Sequence, residues 1–222
     1  MPEGKLQEIL HSARLILFDF DGPICDVFAR LPAAGVARHL ERNLADKVGT
    51  DDPLRILQEA VKYGDETVHV VEDELIAAEV KAVDLSTATP GGIEAMSAAI
   101  SRGKSVGILS NNSAVAVARF LEKVGILSRV APLIGRVYGR PDLMKPNPHT
   151  FRAALDAAGE DASGTVFVGD STTDIEVAHT VGAPVVGYAN KPGKVDAFAA
   201  AGATVIVEDM RDIRAALTDH WR

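Results

Sequence analysis

Cysteine is almost absent, with Cys25 the single thiol in 222 residues. One thiol excludes an internal disulfide and a cysteine-rich zinc site. It also fits a reducing compartment, so a cytoplasmic location is expected. Tryptophan is equally scarce, and Trp221 reads as a packing residue. Positive charge is in deficit: 31 acidic against 23 basic residues leave a net charge of −8. That balance excludes a grip on nucleic acid or an anionic membrane through bulk charge. An anionic substrate would need a local reversal of the field. No run approaches the roughly 18 consecutive apolar residues of a membrane helix. The opening MPEGKLQEILHSAR is polar and lacks the apolar stretch of a signal peptide. No repeat or low-complexity segment is present, and nothing selects an oligomeric state.

What is there is an ordinary globular composition, 47% hydrophobic and 24% charged. The length suits one large domain or a core with a modest insert. Short apolar runs alternate with helical patterns. Strands are expected at 14–20, 104–109, 165–168, 184–188 and 204–207, with a weaker one at 130–137. Helices are expected at 93–102, 114–124, 148–158, 174–181, 194–200 and 210–220. Several of these end on glycine, as at Gly103, Gly125, Gly159 and Gly182. This rhythm predicts right-handed crossovers and a doubly wound, Rossmann-like α/β core with a parallel sheet. The interval after the first strand is far longer than a crossover requires. Its helical patterns at 33–44, 53–63 and 66–83 predict an all-helical insert. The expected division is a core of residues 1–25 and 88–222 and a helical insert of residues 26–87.

Asp19 and Asp21 stand two apart at the end of the first strand, in LILFDFDGPICD. Side chains two apart on a strand share a face, so both carboxylates project together. Gly22 permits a turn straight after them. Alone, the pair is equally a strand end capped by two solvated aspartates. Ser110, in LSNNS, ends the second strand just before a helix, where a hydroxyl and free backbone N–H groups suit a phosphate. Alone, it is as readily a helix cap. Lys145 lies in the proline-bounded MKPNP loop and by itself would be a surface lysine. Asp170 follows another apolar strand in VFVGDSTTD, with Asp174 four residues on. A helix starting near Thr172 would turn both carboxylates to one mouth, although a capping pair has the same pattern.

Together these features are more specific. All lie at the carboxyl ends of expected parallel strands or in the loops that follow, and so should meet on one rim. Four close carboxylates repel, and a cation relieves them. Oxygen ligands alone point to Mg²⁺ rather than zinc.

The four segments resemble the four motifs of the haloacid dehalogenase superfamily, phosphatase branch. DFDG with Asp26 is similar to the first motif, Ser110 to the second, Lys145 to the third and GDSTTD to the fourth. The helical insert matches the family's helical cap, as in phosphoglycolate phosphatase and β-phosphoglucomutase relatives. Pro23 departs from the pattern, since threonine or valine is commoner there; proline removes an N–H that could meet a phosphate.

The resemblance implies an Mg²⁺-dependent phosphatase acting on a small phosphomonoester through an aspartyl-phosphate. Asp19 would be the nucleophile and Asp21 the general acid and base. The Asp19 side chain, the Asp21 backbone carbonyl and Asp170 would hold the metal, with Asp174 in or beside that shell. Ser110, the Asn111 amide and Lys145 would bind the phosphate. Ionised Asp19, Asp170 and Asp174 carry about −3, which Lys145 and a divalent cation bring to about zero. The expected partner is a small phosphorylated metabolite such as a sugar phosphate or phosphoglycolate-like ester, not nucleic acid or membrane. Asp21 favours phosphate chemistry over dehalogenation, because a halide leaves without a proton. A phosphomutase is the alternative, and a non-catalytic phosphate-binding protein a more distant one. Cys25 reads as a small buried residue. In the insert, His39, His69, Arg30, Arg38, Arg42, Arg55 and Lys62 read mostly as solvated faces, with one or two free to reach over the site.

Overall fold

The structure is a computed structural model that describes residues 3–218. Trp221 and the last two residues of the expected final helix lie outside that range. Six strands form one sheet: β1 (Leu15–Phe18), β2 (Ser105–Leu109), β3 (Leu133–Ile134), β4 (Thr165–Gly169), β5 (Val185–Tyr188) and β6 (Val205–Val207). Their order is β3-β2-β1-β4-β5-β6, and every pair is parallel. The chain therefore winds outward in both directions from β1. In such sheets the crevice beside the central strand, at the carboxyl ends, is where ligands bind.

All four residues of β1 are fully buried, as expected of a central parallel strand covered on both faces. Ile16 and Phe18 join one apolar cluster, while Leu15 and Leu17 join another on the opposite face. The first cluster holds residues of α1 (Glu3–Ser12), α5 (Gly92–Ser101), α6 (Ala114–Lys123) and α10 (Met210–Thr218). The second holds residues of α7 (His149–Ala158), α8 (Thr172–Val181) and α9 (Lys194–Ala201).

Two elements differ from the sequence expectation. The polar N-terminal segment forms α1, whose Leu6, Ile9 and Leu10 make a short apolar stripe against the core and α10. The weak strand at 130–137 shrinks to two residues at the sheet edge. Backbone hydrogen bonds to β2 continue at Ala131 and the Pro132 carbonyl, but Pro132 has no N–H to donate, so the regular ladder is interrupted there.

Between β1 and α5 lie α2 (Ala33–Leu40), α3 (Pro53–Ala60) and α4 (Asp65–Leu85). They gather around their own apolar cluster, built from Val36, Leu40, Ile56, Leu57, Val71 and Leu75. At 21 residues, α4 is about 30 Å long. Its Val68, Val71 and Leu75 belong to the helical cluster, whereas Ala82 and Val83 belong to the sheet core. Packing of α4 against α6 thus ties the helical segment to the sheet. Among the described residues, no helix is long and apolar enough to cross a membrane.

Candidate active site

The parallel register levels the ends of the three central strands. Phe18 is paired with Ile108 of β2 and Val168 of β4. Asp19 follows Phe18 directly, and Ser110 and Asp170 come one residue further along their strands, after Leu109 and Gly169. Asp19, Asp21, Ser110, Asn111, Lys145 and Asp170 all line one cleft of about 360 Å³. Asp174 lies fully buried beside them.

Asp19 is fixed by its own backbone surroundings: its N–H donates to the Val168 carbonyl at 2.8 Å. Its Oδ1 accepts the Phe20 N–H at 2.7 Å and lies 3.0 Å from Lys145 Nζ. The Asp21 carboxylate accepts the Val27 N–H at 2.9 Å. The chain turns away at Gly22 with φ of +99°, and a Cβ there would sit 2.4 Å from Asp170 Cγ. Only glycine allows both that turn and that close approach.

The Lys145 ammonium is buried among fixed acceptors. It contacts Asp174 Oδ1 at 2.6 Å and the Leu109 carbonyl at 3.2 Å, in addition to Asp19. The Phe167 ring lies 5.2 Å below it. Burial opposes its charge, but the attraction of Asp174 and Asp19 wins, and its pKa rises above the ordinary value. Asn111 holds the lysine's backbone from the other side. Its Oδ1 accepts the Lys145 N–H at 2.8 Å, and its Nδ2 donates to the Lys145 carbonyl at 3.2 Å. The sequence pointed to the Asn111 amide and not to this use of its side chain.

α8 starts at Thr172 with Ser171 as N-cap, closing a capping box with Asp174. Asp174 Oδ2 accepts the N–H groups of Asp170 and Ser171 and the Ser171 hydroxyl, while Oδ1 takes Lys145. Asp174 is therefore both helix cap and site residue, and both its oxygens are already engaged. One carboxylate oxygen each from Asp19, Asp170 and Asp174 fall within 4.8 Å of one another. This cluster of hard oxygen donors fits a divalent cation.

Burial is the largest influence on both carboxyls of the first motif. It raises Asp19 to about 7 despite Lys145, with Asp174 and Asp170 adding to the rise. It raises Asp21 to about 7 despite the Val27 hydrogen bond, with Asp170 and Asp26 adding to it. Burial also pushes the Cys25 thiol up to about 12, and the thiol shares a hydrogen bond with Ser86 Oγ at 3.0 Å. Cys25 is a packed, inert thiol.

Several site residues were not found from the sequence. Lys194, at the start of α9, donates to Asp170 Oδ2 at 2.7 Å and to Asn190 Oδ1 at 2.6 Å. Asn190 Nδ2 donates to the same Asp170 oxygen at 3.0 Å. The loop after β5 also ends a parallel strand, and that position was the available signal. Asn112 lines the cleft, donating through Nδ2 to the buried Glu79 at 3.1 Å. Glu79 and Glu72, both on α4, flank the buried Arg136 at 2.7 Å each. Arg136 also donates to the Asn111 carbonyl at 3.2 Å, so this ion cluster ties α4 to the loop behind the site.

From the helical segment, the residues that reach the cleft are Asp52, Leu54 and Gln58. None of the basic or histidine side chains expected as candidates lines it. Arg55 and Lys62 pair with Glu59, His39 lies near Glu74, and His69 stacks on Tyr138. Arg30, Arg38 and Arg42 are exposed. The α3 register explains the change: Leu54 and Gln58 share one face, and Arg55 is turned away from it.

A haloacid dehalogenase-like hydrolase profile matches residues 13–182. A phosphoglycolate phosphatase of Rhodospirillum rubrum is 30% identical over 131 residues, covering 56% of this chain and 50% of that protein. The chain thus matches about half the length of that relative. A probable phosphatase, IndB, of Dickeya dadantii is 24% identical over 213 residues, covering 90% and 91% of the two chains. A crystal structure of a predicted phosphatase from Clostridium acetobutylicum superposes with a TM-score of 0.71 at 19% identity, covering 91% of this chain and 96% of that one. The sheet order defines a doubly wound α/β fold with a helical insertion after the first strand and a carboxylate-lined rim. The chain belongs to the haloacid dehalogenase-like hydrolases.

Proposed function

We propose that the protein is a Mg²⁺-dependent phosphatase that hydrolyses a small phosphomonoester through an aspartyl-phosphate on Asp19. The observation that carries this reading is the Asp19–Lys145 contact at 3.0 Å inside a cleft that also holds Asp21, Ser110 and Asp170. The phosphatase names of the relatives support the same reading.

An Asp19 carboxylate oxygen attacks phosphorus, forming a P–O bond as the bond to the leaving alcohol breaks. Asp21 gives its proton to the departing oxygen. A carboxyl held near 7 by burial is available in both protonation states at neutral pH, as an acid that later serves as a base must be. In the second step Asp21 takes a proton from water, whose oxygen attacks phosphorus and releases Asp19 and inorganic phosphate. Lys145 and the Ser110 hydroxyl face the transferring oxygens, and Asn111 holds Lys145 in place. Asp19, Asp170 and the Asp21 carbonyl would hold Mg²⁺, with Asp174 beside them; when bound, the cation supplies charge shielding between phosphate and carboxylates. The helices α2–α4 act as a cap that shields the cleft from bulk water.

The test is release of phosphate from p-nitrophenyl phosphate with and without Mg²⁺, beside Asp19→Asn. Release by the wild type only with metal, and loss of about 10³-fold or more in the variant, is expected. Full activity of Asp19→Asn would remove the nucleophile assignment. An isomerised phosphate ester in place of free phosphate would assign a mutase.

A further inference from the structure

The cap-side wall of the cleft carries no positive charge, and this bears on the substrate. Resting on the phosphatase reading, we infer that the leaving alcohol is rich in hydrogen-bond donors, hydroxyl or amino, and bears no second anionic group. A polyol or amino-alcohol monophosphate fits, and a carboxylate-bearing ester such as phosphoglycolate does not.

Among the described residues, the cations near the cleft are held by other partners or lie outside its lining. Lys145, the one basic residue among the described lining residues, is locked between Asp19 and Asp174 at the phosphate end. Lys194 is held by Asp170 and Asn190. Arg136 is buried between Glu72 and Glu79. Lys191 acts on Asp21 at a distance but does not line the cleft. A phosphate group therefore finds its counter-charge at the floor of the cleft, while a second anion would find none at the roof.

The roof is Asp52, Leu54 and Gln58. α3 lies against the segment Pro141–Leu143, just before Lys145, which brings its first turns over the cleft. A helix start would ordinarily favour an anion. Here that end is taken, because the Asp52 side chain caps α3 by accepting the Leu54 N–H at 2.9 Å. Asp52 still presents a negative charge and acceptor capacity to the cleft. Gln58 adds an amide on the same helical face, and Leu54 with Met144 offers apolar contact for a short carbon chain. A carboxylate brought beside Asp52 meets like charge without a partner, whereas a hydroxyl or ammonium meets an acceptor.

The experiment compares kcat/KM for glycerol phosphate, ethanolamine phosphate, phosphoglycolate and p-nitrophenyl phosphate in Mg²⁺, for wild type, Asp52→Asn and Asp52→Lys. Asparagine caps a helix about as well as aspartate, so Asp52→Asn keeps α3 intact, and circular dichroism checks it. In the wild type the better of glycerol and ethanolamine phosphate should exceed phosphoglycolate by about tenfold or more. Asp52→Asn should narrow that ratio and Asp52→Lys should narrow or invert it, through gain on phosphoglycolate. The relative rates of the glycerol and amine esters tell which donor the roof prefers. If p-nitrophenyl phosphate is hydrolysed while phosphoglycolate leads, or if neither variant moves the ratio, the charge inference fails and the phosphatase reading stands. If no ester releases phosphate, both fail.

Discussion

Asn111 grips the Lys145 backbone on both sides of its Cα, accepting the N–H at 2.8 Å and donating to the carbonyl at 3.2 Å. One neutral side chain thus fixes the loop that carries the buried ammonium. Asn111 belongs to the loop after β2 and Lys145 to the loop before α7, so the bond ties two site loops together.

Replacing Asn111 with alanine removes both hydrogen bonds and leaves the Lys145 loop to wander. A stability loss of about 1–2 kcal/mol is expected. The catalytic loss should be larger, because a small displacement of an oxyanion-stabilising group is costly. We expect kcat to fall about tenfold or more with a smaller change in KM, measured on p-nitrophenyl phosphate. An unchanged kcat would show that Lys145 keeps its place without the clamp.

Glu79 makes a different kind of contact. It is fully buried on α4, pairs with Arg136 at 2.7 Å and accepts the Ser113 N–H at 3.0 Å. Among the described residues, Arg136 Nη2 already has no hydrogen-bond partner. Glu79→Ala strips a charged partner from this buried guanidinium and should cost about 3–5 kcal/mol. The denaturant midpoint of unfolding reads this directly. Glu79→Gln keeps the shape and one acceptor, so it should lose less. Equal stability of all three proteins would show that the ion cluster is structurally idle.

Asp19 and Asp21 make the metal-free protein pH-sensitive in an unusual direction. Both rise from 3.8 to about 7, burial being the largest cause. Between those values the folded chain holds more protons than the unfolded one, so stability falls as pH rises. Their contribution is complete below about 4 and is lost through about 7. Asp84, Asp142, Asp161 and Asp209 are lowered mainly by side-chain hydrogen bonds, so their contribution is present above 3.8 and lost on acidification. Asp21→Asn isolates one group. In chelator-treated protein, its stability relative to wild type should increase from pH 5 to pH 8 by about 1–3 kcal/mol, read by chemical denaturation. A constant difference would show that burial does not hold Asp21 protonated.

The sheet core was readable because its signals are local. Apolar runs such as LILF and TVFVG, closed by glycine and acidic loops, mark strands covered on both faces. The helix α1 was missed because its apolar stripe is only three residues long, Leu6, Ile9 and Leu10, in an otherwise polar segment. The edge strand was overdrawn because hydropathy does not register that Pro132 lacks a donor. The basic residues of the insert are solvated as mostly expected, but Asp52, Leu54 and Gln58 were not picked out, since the facing side of α3 depends on how that helix sits over the cleft.

The sequence by itself determined which chemical groups could act. Parallel strands end together, so Asp19, Ser110 and Asp170 were bound to share a rim once the alternation of strand and helix was recognised. Tertiary structure alone decided how those groups are balanced. The double hold of Asn111 on Lys145, the neutralisation of Asp170 by Lys194 and the acidic roof at Asp52 each join residues far apart in the chain. Such pairings depend on through-space distance and burial, which one-dimensional periodicity does not encode.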